Sequence, residues 1–102
     1  MNKPLTEYTP QELAQLRLLL ADNYSKLGEI KVGLLRKYAL YYKENRNNGD
    51  HKSDASLDRA WDLTDDGLAL MELKEKMKSI EHKLSAIRTL LEVKNNEVRN
   101  NY

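Results

Sequence analysis

The chain has no cysteine, no phenylalanine, one tryptophan (Trp61), two prolines and four glycines in 102 residues. Without cysteine there is no disulfide, no thiolate nucleophile and no sulfur ligand for zinc. Such a chain suits a reducing cytoplasm. The glycines, at positions 28, 33, 49 and 67, are scattered and build no phosphate-cradling loop. The longest apolar run, Leu18-Leu19-Leu20-Ala21, falls far short of the roughly 20 residues needed to cross a bilayer. Met1 to Pro10 has no apolar stretch of the kind that forms a signal peptide. The expectation is therefore a cytoplasmic protein with no membrane span. Aromatics make up 7% and charged residues 32%, so any core is small. Leucine is nevertheless abundant and periodically placed, which a disordered chain would not need.

Net charge is only +1, but the charges are segregated. Lys26 to Arg46 carries net +4, and Asp50 to Asp66 carries net −4. Local polarity therefore says more about partners than the total does.

Helix signals are strong. Thr9-Pro10-Gln11-Glu12 places a capping hydroxyl, a proline at the first helical position and a glutamate three residues after the cap. Leu13, Leu16, Leu20, Tyr24, Leu27, Ile30, Leu34, Tyr38 and Tyr41 then recur in steps of three or four, the spacing of one helical face. The predicted helix covers about 10–45. Gly28 and Gly33 lie inside it, each costing roughly 1 kcal/mol against alanine, and a close helix crossing would explain them. A bend is also compatible with Gly33.

Residues 46–64 read as a polar loop followed by a short helical turn. Asn47-Asn48-Gly49-Asp50 is turn chemistry, Ser53 or Asp54 can cap, and Leu57, Ala60, Trp61 and Leu63 supply an apolar side. Trp61 is expected to anchor packing there. Thr64-Asp65-Asp66 forms a second cap, and Gly67 marks a bend. A long helix over 65–99 then carries Leu70, Leu73, Met77, Ile80, Leu84, Ile87 and Leu91, alternating steps of three and four, before Lys94 interrupts the seam. That is coiled-coil spacing.

The fold class that follows is all-α: a long antiparallel helical hairpin with a short helical turn in the connection. Each long helix should have about 35 residues and span roughly 50 Å. Leu19, Leu35, Met71, Leu90 and Val93 lie just off the seams and widen the apolar stripes. Two helices alone would leave that width wet, so an oligomeric helical bundle is expected, with Leu70, Leu73, Met77, Ile80, Leu84, Ile87 and Leu91 as its interface.

Nothing in the sequence suggests catalysis. The two histidines, His51 and His82, accompany no nucleophile at a triad-like spacing, and His82 sits among Glu81 and Lys83 as a surface residue would. No cofactor, metal or small-molecule substrate is expected. Asp50, Asp54, Asp58, Asp62 and Asp66 fall every four residues, which would align them along one face of a continuous helix. This row can be helix capping and favourable dipole charge, a patch contacting a partner, or a weak metal site.

The basic segment is the main candidate surface. Arg36, Lys37, Lys43 and Arg46 interleave with Tyr38, Tyr41 and Tyr42. Single-stranded nucleic acid takes cations along its phosphates and rings against its bases. The same tyrosines can equally continue the buried stripe while the cations stay solvated. Rings open to solvent beside Arg46 would favour DNA; buried rings would favour a purely protein-binding role.

A basic helix end with a tyrosine pair (Tyr41-Tyr42), a polar glycine-containing loop (Asn47-Asn48-Gly49-Asp50) and a closing heptad helix resembles phage recombination mediators of the UvsY type. The likeness spans roughly Lys31 to Arg99. It implies an oligomeric helical accessory protein acting on single-stranded DNA in recombination or replication, with Lys37, Tyr41, Tyr42, Lys43 and Arg46 near the strand. The rival expectation is a non-enzymatic module binding a host or phage protein, such as a phage inhibitor of a host enzyme or defence complex (an anti-CRISPR-like role).

Overall fold

A computed structural model describes residues 3–46 and 53–100, with side chains to residue 96. Helices account for nearly all of the described residues, and no strand occurs among them. A 3-10 turn at Leu5–Glu7 precedes α1 (Pro10–Asn45), α2 (Asp54–Asp62) and α3 (Asp65–Asn100). The turn chemistry expected at Asn47 to Asp50, and the side chain of Val98, lie outside the described residues. No described helix is long and apolar enough to cross a membrane.

Each helix starts where its capping residues place it. The Thr9 hydroxyl accepts from the Glu12 N–H at 3.1 Å, and the Glu12 carboxylate accepts from the Thr9 N–H at 3.0 Å. This reciprocal pair satisfies two donors that a new helix would leave open. The Thr9 N–H, and then Lys3 at 2.9 Å, hold the Glu12 carboxyl below the usual carboxylate range. Ser53, rather than Asp54, caps α2 by accepting from the Ser56 N–H at 3.2 Å. Thr64 plays that part for α3. Its hydroxyl donates to the Trp61 carbonyl at 2.6 Å and accepts from the Gly67 N–H at 3.0 Å. Asp54, Asp65 and Asp66 occupy first turns, where the helix dipole favours negative charge.

Gly67 is required for space and not for backbone conformation. A Cβ there would stand 2.0 Å from the Trp61 carbonyl oxygen, because the first turn of α3 passes directly over the end of α2. The close crossing expected at Gly28 and Gly33 is absent: a Cβ at either position meets nothing within 4 Å. Both simply face open space in this chain.

The chain divides into two compact units, and within each a length of α1 packs against a length of α3, consistent with a hairpin. One unit comprises residues 1–25 and 78–102. Its core is Tyr8, Leu13 and Ile87, with Leu5, Leu16, Leu20, Leu90 and Leu91 packed around them. The Lys94 ammonium pins the N-terminal segment by donating to the carbonyls of Thr6, at 3.2 Å, and Tyr8. The amine that interrupts the heptad seam is therefore used within the unit. Tyr24 also donates its hydroxyl to Glu81.

The other unit comprises residues 26–77, with Leu34, Leu57, Trp61, Leu70, Leu73 and Met77 buried. Ile30 departs from expectation, being 55% exposed, while Lys31 is half-buried. The two positions flank the Leu27–Leu34 line by equal angles of about 50°, so spacing alone cannot choose between them. The lysine can lay its aliphatic stem on the apolar surface and keep its charge in water.

Candidate binding surface

The residues singled out for chemistry gather at α2 and the facing length of α1. Tyr38 and Tyr42 are four residues apart on α1 and share a face; Asp54 and Asp58 stand in the same relation on α2. The Tyr38 hydroxyl donates to Asp58 at 2.6 Å, and the Tyr42 hydroxyl donates to Asp54. The order reverses along the two helices, so the pairs form an antiparallel ladder. Hydrogen bonding to the carboxylate favours the neutral phenol, pushing Tyr38 up to about 12 and Tyr42 above its ordinary value.

The rings are engaged as well. Trp61, 4% exposed, receives Tyr38 edge-on at 5.4 Å between centroids and Tyr41 in a tilted contact at 5.5 Å. Tyr38 and Tyr42 tilt against one another at 6.2 Å. Such offset and edge-to-face geometries add to burial because a ring's positive edge meets a negative face. Tyr38, Tyr41 and Tyr42 are each half-buried rather than open. The Arg46 guanidinium lies 5.9 Å from the centre of the Tyr42 ring.

The four cations expected at this surface behave differently. Arg36, Lys37, Lys43 and Arg46 are all exposed. Lys37 faces Asp66 at 3.5 Å, whereas Arg36, Lys43 and Arg46 have no ion-pair partner among the described residues. Positions 36, 43 and 46 share one side of α1, and Lys37 lies about 100° around the helix from Arg36. The acidic row is broken up too: Asp54 and Asp58 serve the tyrosines, Asp66 meets Lys37, and Asp50 and His51 lie outside the described residues. Among the described residues no three acidic or histidine side chains converge as a metal site would require.

Four residues of the heptad seam, Leu70, Leu73, Met77 and Ile87, are already buried within one chain, and Ile80, Leu84 and Leu91 are half-buried. Of the off-seam set, Leu19 (55% exposed), Leu35 (40%), Met71 (50%) and Val93 (48%) remain outside, while Leu90 is half-buried. Leu18, Val32, Leu40, Leu68 and, against expectation for the short helix, Leu63 are exposed as well. Beside the tyrosine–aspartate ladder, Leu35, Tyr38, Trp61, Leu70 and Met71 line a cleft of about 350 Å³, together with Asp58, Asp62, Gly67 and Lys74.

The aspartates were visible as a row, and the tyrosines as part of a stripe. Their common four-residue step was the signal that the two rows could pair. No family model, curated protein or solved structure matches the chain.

Proposed function

We propose that this chain is a non-enzymatic helical binding protein that covers its exposed apolar side chains with another polypeptide. The observation that carries this reading is the exposure of Leu19, Leu35, Met71 and Val93, four large apolar residues that widen the seams and remain in water in the single chain. Scattered exposed leucines are ordinary, but apolar residues repeated along both long helices are characteristic of surfaces that associate. Second copies of the chain are the simplest cover for Leu19 and Val93. The half-buried, hydrogen-bonded tyrosines support the protein-binding reading over a base-stacking platform. A photo-crosslinking amino acid at position 19 or 93, introduced in the cells that express the protein, should trap a polypeptide, self or other. Capture of none at either site would overturn the proposal.

A second reading has its own support. Arg36, Lys43 and Arg46 form an exposed cationic stripe without carboxylate partners among the described residues. Such a stripe suits the phosphates of single-stranded DNA, so a recombination-accessory role would rest on charge with the tyrosines serving as scaffold. Salt-dependent binding of a single-stranded oligonucleotide is its test.

A further inference from the structure

The ladder between α1 and α2 has two rungs where its spacing provides for three. Asp54 faces Tyr42 and Asp58 faces Tyr38. One turn further along α2 stands Asp62, and one turn back along α1 stand Leu34 and Leu35. Leu34 turns inward and is 8% exposed, so no phenol answers Asp62. The cleft opens at this missing rung, with Asp62 and half-exposed Met71 in its lining and buried Trp61 and Leu70 beneath.

Among the described residues the cleft is lined by two aspartates, Asp58 and Asp62, and one lysine, Lys74, and Asp58 already accepts from Tyr38. Further negative charge lies along α2 and the start of α3, with five aspartates against Arg59 from Ser53 to Leu70. Asp66 is shared with Lys37, but Asp62 has no ion-pair partner among the described residues. We infer that this cleft seats an amphipathic helix of a partner protein, one apolar side chain entering against Trp61 and Met71 while a neighbouring lysine or arginine meets Asp62. The inference rests on the protein-binding reading and gives its partner a chemistry. An apolar anchor in a pocket supplies the affinity, and a charge at the edge supplies orientation and encounter rate. A two-fold contact with a second copy centred on Asp62 would set that carboxylate against its own counterpart, which disfavours self-association there.

Trp61 is the only tryptophan and lies in the cleft, so its emission reports occupancy directly. The probes are two synthetic helical peptides with the same leucine face, one carrying lysine and the other glutamate at all polar positions. The lysine peptide should change Trp61 emission saturably and bind about tenfold more tightly than the glutamate peptide, a difference of about 1.4 kcal/mol. Asp62→Asn should weaken the lysine peptide several-fold and reduce its salt dependence. Met71→Glu and Leu35→Glu, each at a partly exposed position, should both abolish the Trp61 response. Equal binding of both peptides, or an unchanged response in both Met71→Glu and Leu35→Glu, would overturn the proposal. So would a concentration-dependent Trp61 change in the chain alone that Met71→Glu removes, because a second copy would then fill the cleft. Crosslinks from positions 19 and 93 that persist after such a failure would leave the broader binding role standing.

Discussion

Tyr38 donates its hydroxyl to Asp58 at 2.6 Å while presenting its ring edge to Trp61 at 5.4 Å, so one side chain ties α1 to α2 twice. The bond also couples stability to pH. The phenol titrates near 10 in the unfolded chain and at about 12 in the folded one, because its proton is held against the Asp58 carboxylate. A pKa raised on folding contributes stability that is complete below pH 10 and is lost as pH rises through about 12. Urea denaturation at pH 7, 10 and 11.5 should show a fall over that window that is smaller in Tyr38→Phe. At pH 7 the Phe variant should lose about 0.5–1 kcal/mol, since Asp58 is exposed and water can replace the phenol. A variant with the same alkaline profile as the parent chain would remove Tyr38 from the account.

The glycines separate into two kinds that thermal denaturation can distinguish. Gly67→Ala should cost 1–3 kcal/mol or more, because its Cβ would collide with the Trp61 carbonyl and backbone has to move. Gly28→Ala and Gly33→Ala should each raise stability by about 0.5–1 kcal/mol, since the methyl meets nothing and helix propensity improves. Loss of assembly mass in Gly28→Ala or Gly33→Ala, with stability of the single chain unharmed, would instead place those glycines at a crossing between copies.

Ile30 and Ile87 both belong to the periodic stripes, but one is 55% exposed and the other fully buried. Ile87→Ala should cost about 2–5 kcal/mol through lost burial and the cavity left beside Leu13. Ile30→Ala should fall within about 0.5 kcal/mol of the parent chain in dilute solution. Comparable losses at both positions would mean that Ile30 is buried by something the isolated chain does not supply.

Those residues also mark how far the sequence could be read. The Thr9-Pro10-Glu12 start, the short helix containing Trp61 and the heptad spacing of α3 depend on local chemistry, and each stands within about a residue of where spacing placed it. Local rules fail where two rows must meet. No spacing rule decides between Ile30 and Lys31 when both flank the stripe equally. Likewise, nothing in the tyrosine row alone says that a separate row of aspartates will fold back to accept from it. The glycines carried the same ambiguity, since a crossing, a bend and open space all permit glycine, and among the described glycines only Gly67 proves to need it for space.

The remaining prediction separates the protein-binding and DNA-binding readings. A labelled single-stranded oligonucleotide titrated with the chain at low and near-physiological salt should reveal any phosphate grip, because each phosphate neutralised releases counterions and steepens the salt dependence. The geometry specifies which cations to remove. Arg36, Lys43 and Arg46 share an exposed side of α1, whereas Lys37 turns elsewhere toward Asp66. If the stripe holds DNA, the Arg36, Lys43, Arg46 triple alanine should lose binding and most of the salt slope, while Lys37→Ala changes little. Tyr42→Phe should then bind as the parent chain does, because its ring remains and only the bond to Asp54 is lost. Absence of binding at low salt would leave the stripe as ordinary solvated charge, and the exposed apolar residues would carry the function alone.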